Sequence, residues 1–280
     1  MPDTPFELYC QYRSINVLLF NGTKIYNIDV HEYRNYNSTK NDFNCVSGWA
    51  AFEQLKAKIE NHGLKSGNGY EISYPITGYP ITFAPVINVE YVSIHDVKCV
   101  FIGKGSPANI QQALRLAVAF GLLEISQSAI QNYCDKNIGL DCSGFAGNYL
   151  GGNWRSTPCS EYAKKKINNL DDITTGTAIV WQNGKHVALV DKITGKEKSD
   201  GKTSEVKCMV AESTGDRMFT DGPSDGLNYS EYSISPASVG FNISRPIVEK
   251  TKKGLKQASH SADVYLTTIA RESLSEPYIF

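Results

Sequence analysis

The chain has 280 residues, 41% of them hydrophobic and 20% charged, with a formal net charge of −1. That length suffices for one large domain or two modest ones with a real core, and the composition is neither that of a disordered chain nor that of a fibrous repeat. The near-neutral charge argues against a broad nucleic-acid surface, which needs a surplus of Lys and Arg to displace counterions.

The first twenty residues, MPDTPFELYCQYRSINVLLF, carry no basic n-region and only a short apolar run, unlike a standard secretory signal. The longest apolar stretch, 113–125, is interrupted by Arg115 and falls short of the roughly 20 residues of a membrane span. The expectation is a soluble chain made in the cytosol, with no stable membrane insertion. Seven cysteines (Cys10, Cys45, Cys99, Cys134, Cys142, Cys159 and Cys208) are odd in number, scattered and free of any CxxC pair. That spacing speaks against a disulfide framework or a zinc site, and no metal or cofactor is expected.

In chain order, INVLLF and TKIYNIDV flank Asn21-Gly22 and predict a β-hairpin over 15–30. A helix follows with Ser47 as N-cap, Phe52, Leu55 and Ile59 on one face, and Gly63 closing it in the left-handed conformation. Residues 69–104 are rich in Tyr, Ile, Val and Pro in short strand-like runs. SPAN at 106–109 opens a helix with Ile110, Ala113, Leu114, Ala117 and Val118 at helical spacing, and a second short helix carries Ile130, Tyr133 and Cys134. A soft boundary is placed near 105, between an N-terminal α/β region (1–105) and a second domain (106–280). After residue 170 the period becomes two: TAIVWQ (177–182), HVALVDKI (186–193) and EVKCMVAES (205–213) read as successive strands, with the polar TGKEKSDGKTS as a connecting loop. NISRPIV (242–248) and VYLTTIA (264–270) read as further strands.

The chemistry gathers in GLDCSGF at 139–145. Phe145 and Tyr149 lie at i, i+4 and Gly151-Gly152 stop the element, so Cys142 falls at or just before a helix N-terminus. Unpaired N–H groups there favour a thiolate over a thiol and can hold a developing oxyanion. Asp141 suits the N-cap. A thiolate nucleophile needs a base, and His186 opens the strand HVALVDKI on one face with Ala188 and Val190. On the next strand Val206, Cys208, Val210 and Glu212 share a face. Antiparallel pairing would bring Glu212 beside His186, completing a nucleophile–base–orienter series. Ser213 is the competing third residue if the register slips by one. The six other cysteines and His31, His62, His95 and His260 carry no such pattern.

Asp141-Cys142-Ser143-Gly144-Phe145, then Gly176-Thr-Ala-Ile-Val-Trp181, then His186-Val-Ala-Leu-Val190 resemble the NlpC-type cell-wall cysteine peptidases and their CHAP-type amidase relatives, over roughly residues 126–248. The resemblance implies an α+β, papain-like core with the nucleophile helix packed on an antiparallel sheet, here with an additional N-terminal α/β region. It implies hydrolysis of an amide bond in a peptidoglycan stem peptide through an acyl-enzyme at Cys142. The chain departs from the family pattern in offering Glu212 or Ser213 where His, Asn or Gln is usual, Thr177 in place of an acid, and Tyr133 in a different context. A cell-wall substrate and a chain without a recognisable leader together suggest delivery to the periplasm of a target bacterium by a type VI-like secretion system, with that machinery and a cognate immunity protein as partners. Two rivals stand beside this reading: a thiol hydrolase or acyltransferase on an intracellular lipid or protein, and a non-catalytic binding protein on the same fold.

Overall fold

Period-two segments dominate the C-terminal half and helical spacing the middle of the chain, and the computed structural model is correspondingly a mixed α+β structure with antiparallel sheets. It describes residues 2–19, 24–35, 46–74, 76, 89–152, 154–215, 226–251 and 253–272. The chain forms two units, one of Gln11–Leu140 and one of Met1–Cys10 with Asp141–Phe280. The division thus falls between Leu140 and Asp141 and not near 105, because the two helices after residue 105 pack with the helices before it.

Helix α1 spans Pro5–Arg13. In the Gln11–Leu140 unit, β1 (Ile15–Leu19) and β2 (Lys24–Ile28) pair antiparallel with Ile15 opposite Ile28. The Asn21-Gly22 turn expected between them lies outside the described residues. Helix α2 spans Val46–His62, so Ser47 sits inside its first turn and is not its N-cap. Gly63 ends α2 without a left-handed φ. A Cβ there would meet the Ile59 carbonyl at 2.8 Å and Ile72 and Tyr70 side-chain atoms at 2.9 Å, so close packing is what requires glycine. Strands β3 (Leu64–Ser66), β4 (Gly69–Ser73) and β5 (Val89–Ser93) form a three-stranded antiparallel sheet. Helices α3 (Ile94–Phe101), α4 (Pro107–Ala119) and α5 (Gln127–Asn137) follow. Helix α4 starts where SPAN indicated: Ser106 and Asn109 form a reciprocal capping box with Pro107 in the first turn. In α5 the helical spacing buries Ile130 and Cys134.

The other unit begins with α6 (Cys142–Leu150), followed by 3₁₀ turns at Trp154–Ser156, Cys159–Lys164 and Leu170–Asp172. Its strands are β6 (Lys166–Ile167), β7 (Ala178–Trp181), β8 (Val187–Ser199), β9 (Lys202–Thr214), β10 (Gly226–Pro236), β11 (Phe241–Thr251) and β12 (Gly254–Thr267). The order is β11-β10-β9-β8-β7-β12-β6, and a further β11–β12 pairing closes six of these strands on themselves. Val264 marks the closure, opposite Phe241 on one side and Trp181 on the other. The polar segment read as a loop is instead the far end of the β8–β9 hairpin. The strands run out to Ser199 and Lys202 and turn on Asp200 and Gly201, both at positive φ, the conformation of a tight primed hairpin turn.

Strand alternation sets the interior of this sheet. Ala188 and Val190 from β8, Val206, Cys208 and Val210 from β9, Tyr232 and Ile234 from β10, Ile243 from β11 and Leu266 from β12 form one buried apolar cluster. Helix α6, buried along its whole length, packs on β8 and β9. At its end Gly151 takes a φ of 83°, which L-residues rarely adopt. At Gly147 a side chain would overlap the backbone of Trp154 and Arg155, so glycine there lets the following turn lie directly on the helix. On β8, Asp191 accepts hydrogen bonds from the Phe6 N–H at 2.9 Å and the Tyr229 hydroxyl at 2.8 Å, fastening the first turns of α1 to the sheet.

Candidate active site

Cys142 is the first residue of α6. Asp141 caps that helix as its sequence position suggested: its carboxylate accepts from the Gly144 N–H and, at 3.2 Å, from the Ser143 hydroxyl, while its carbonyl accepts from the Phe145 N–H at 3.0 Å. The cap fixes the first turn and holds Cys142 at the positive end of the helix dipole. The residue is only 5% exposed. Its Sγ lies 3.4 Å from the Sγ of Cys159 and 3.9 Å from the Lys185 carbonyl.

His186 stands one residue before β8, at the end of the Asn183-Gly184 turn that joins it to β7. That turn is pinned by hydrogen bonds from Trp181 N–H to the His186 carbonyl (3.1 Å) and from Gly184 N–H to the Trp181 carbonyl (2.8 Å). The imidazole is 14% exposed and lies close enough to Cys142 for each group to shift the titration of the other. Its Nε2 bonds to Oε2 of Glu212. The ring of Trp181 meets the imidazole edge-on, with centroids 4.5 Å apart at 74°, and shields it from water.

Glu212 is 1% exposed and lies on the inward face of β9, with Val210 and Cys208. A carboxylate so buried must be compensated. Its second oxygen, Oε1, accepts from the Tyr232 hydroxyl on β10 and, at 2.7 Å, from Nη1 of Arg245 on β11. The same guanidinium nitrogen donates to the Tyr232 oxygen at 2.9 Å, and Arg245 is itself only 4% exposed. Ser213 alternates to the other face and is fully buried. Cys142, His186 and Glu212 are therefore brought together in one site, His186 hydrogen-bonded to Glu212 and electrostatically coupled to Cys142. Arg245, Tyr232, Trp181 and Cys159 complete it, and sequence reasoning had not singled them out.

The electrostatics follow from this wiring. Burial works against ionised Glu212, but Arg245 and the bonds from His186 and Tyr232 override it and hold the carboxyl down at about 2. Burial likewise opposes a charged imidazole, yet the influence of Cys142 and Glu212 raises His186 to about 9. The Cys142 thiol stands well above its ordinary value: its contact with Cys159 and burial push it up, and His186 offsets this only in part. Since Arg245 already balances Glu212, a thiolate–imidazolium pair can form with no net charge added to the interior. Among the described residues no cluster of His, Cys, Asp and Glu suited to a metal ion occurs. No protein-family model, curated protein or solved structure matches the chain.

The 3₁₀ turns between α6 and β6 frame the sulfur. Tyr162 is buried and donates to the Trp154 carbonyl at 2.8 Å, with the Ser143 carbonyl at 3.3 Å, tying the turn to the base of α6. A Cβ on Gly184 would meet Cβ of Ser160 at 3.2 Å. The turn that begins with Cys159 thus rests on the loop that carries His186.

Proposed function

We propose that this protein is a cysteine hydrolase in which Cys142 attacks a carbonyl carbon, His186 is the general base and acid, and Glu212 orients the imidazole. The observation that carries the reading is the grouping of Cys142, at a capped helix N-terminus, with His186, whose imidazole is hydrogen-bonded to buried Glu212 and shifts the titration of the thiol. In the first step His186 takes the thiol proton and the thiolate adds to the carbonyl. Charge developing on the carbonyl oxygen is stabilised by the first-turn N–H groups of α6. His186 then protonates the leaving amine, and water, activated by the same ring, releases the acyl group. Glu212 keeps Nε2 protonated and stabilises the imidazolium; Arg245 and Tyr232 keep Glu212 ionised and still.

For the substrate, the resemblance of the three motif blocks to NlpC-type and CHAP-type enzymes, and the papain-like core it implies, favour an amide bond of a peptidoglycan stem peptide. Delivery to a target periplasm by a type VI-like system, with an immunity protein as cognate inhibitor, belongs to the same proposal. The test is incubation of purified sacculi with the wild-type protein and with Cys142→Ala, followed by mass analysis of released fragments. New amine and carboxyl termini from the wild type alone are expected. Intact sacculi after wild-type treatment would remove the cell-wall substrate, and equal release by Cys142→Ala would remove the nucleophile.

A further inference from the structure

The sulfurs of Cys142 and Cys159 stand 3.4 Å apart, neither in a disulfide. A disulfide needs about 2.05 Å between sulfurs, so an approach of only ~1.4 Å separates this contact from a bond. The two residues differ in access. Cys142 is buried beneath the 3₁₀ turn, whereas Cys159 is partly exposed at that turn's first position, after the extended Pro158. Of the remaining described cysteines, Cys208 lies in the apolar interior of the sheet, Cys99 and Cys134 are buried in the Gln11–Leu140 unit, and Cys10 is exposed.

We propose that Cys142 and Cys159 form a reversible disulfide, with Cys159 as the resolving thiol that locks the nucleophile in an oxidising environment. The oxidant is a small-molecule disulfide such as oxidised glutathione. The accessible Cys159 thiolate attacks one sulfur of that molecule and displaces its first thiolate, leaving a mixed disulfide at Cys159. Cys142, its proton passed to His186, attacks the Cys159 sulfur and displaces the second thiolate. The two cysteine sulfurs are oxidised, one small disulfide is reduced to two thiols, and the protons end on those thiols. While the bond stands, Cys142 has no electron pair to offer a carbonyl. A small thiol reverses both steps. The bond also draws the 159–164 turn over the sulfur, so one event blocks both chemistry and access. The consequence for activity rests on Cys142 being the nucleophile; the bond itself does not.

The test equilibrates the full-length protein in glutathione buffers of increasing oxidised fraction, quenches with acid, and maps cysteine connectivity by non-reducing digestion and mass spectrometry. Exposed Cys10, which should take up glutathione, is the internal control. In the wild type a peptide pair linked through Cys142 and Cys159 is expected, lighter by two hydrogens than the separate reduced peptides. Cys142 should stop reacting with iodoacetamide, and dithiothreitol should reverse both changes. In Cys159→Ser, checked for native circular dichroism, no crosslink to Cys142 should form. The proposal is overturned if wild-type Cys142 stays reduced, carries glutathione, or pairs with another cysteine under conditions that fully modify Cys10. The wild-type map decides the matter even if Cys159→Ser does not fold. Because connectivity is read without substrate, a negative result leaves the hydrolase reading standing, and an inactive protein leaves the disulfide standing.

Discussion

Glu212 and Arg245 should be energetically coupled far beyond an ordinary surface pair. They are 1% and 4% exposed, joined at 2.7 Å and bridged by Tyr232. Glu212→Gln keeps the volume and an acceptor oxygen but leaves a buried guanidinium without its counter-charge. Removing one partner of a buried ion pair typically costs about 3–5 kcal/mol, a large share of the ~5–15 kcal/mol that stabilises a whole domain. Arg245→Met should cost less, because protonated His186 remains to balance the carboxylate. The double variant removes both charges and should be more stable than the sum of the singles implies, with an interaction energy on the order of 1–3 kcal/mol. Hydrogen exchange of the β10 and β11 amides reads this unit alone, which matters in a chain of two units. A Glu212→Gln protein within about 1 kcal/mol of wild type, on the scale of an exposed pair, would refute the buried-relay account, as would strict additivity.

Three further outcomes follow from the same geometry. Cys159→Ala removes the foremost cause that pushes the Cys142 thiol up, so alkylation of Cys142 near neutral pH should become several-fold faster; an unchanged or slower rate would contradict this. Gly147→Ala places a methyl group against the backbone of Arg155 and should cost about 1–3 kcal/mol through overpacking, with limited proteolysis cutting sooner between 154 and 164. Stability should depend on pH in two opposite ways. His186 is raised from 6.5 to about 9, so its contribution is full below 6.5 and is lost as pH rises through 9. Glu212 is lowered from 4.5 to about 2, so its contribution is full above 4.5 and is lost as pH falls towards 2. The pair therefore stabilises most between 4.5 and 6.5, and His186→Gln should flatten the alkaline limb of a pH–stability curve.

The site was largely legible because its cues are local. Asp141 before a small-residue run marks a cap, and strand alternation alone put Glu212 on the inward face with Val210 and Cys208. Arg245 was legible too, though overlooked: it shares its face with Ile243 and Ile247, both fully buried, and an arginine among inward apolar residues demands a carboxylate. Tyr232 was out of reach because the strand GLNYSEYSISP had not been recognised, its serines and asparagine masking the alternation. Cys159 was out of reach for another reason. Its contact with Cys142 spans seventeen positions and is set by the 3₁₀ turns, which have no periodicity to read. The boundary near 105 misled because SPAN starts a helix, and a helix start looks the same whether or not a new unit begins there.

The central claim is that His186 activates Cys142, and the pH dependence of Cys142 alkylation by iodoacetamide tests it most directly. Rates would be taken from peptide mass in wild type and in His186→Ala, with folding verified separately. His186 opposes the upward push of Cys159 and burial on the thiol, so the wild-type profile should rise at lower pH than that of His186→Ala, in which that push is unopposed. Superimposable profiles in two folded proteins would contradict the account.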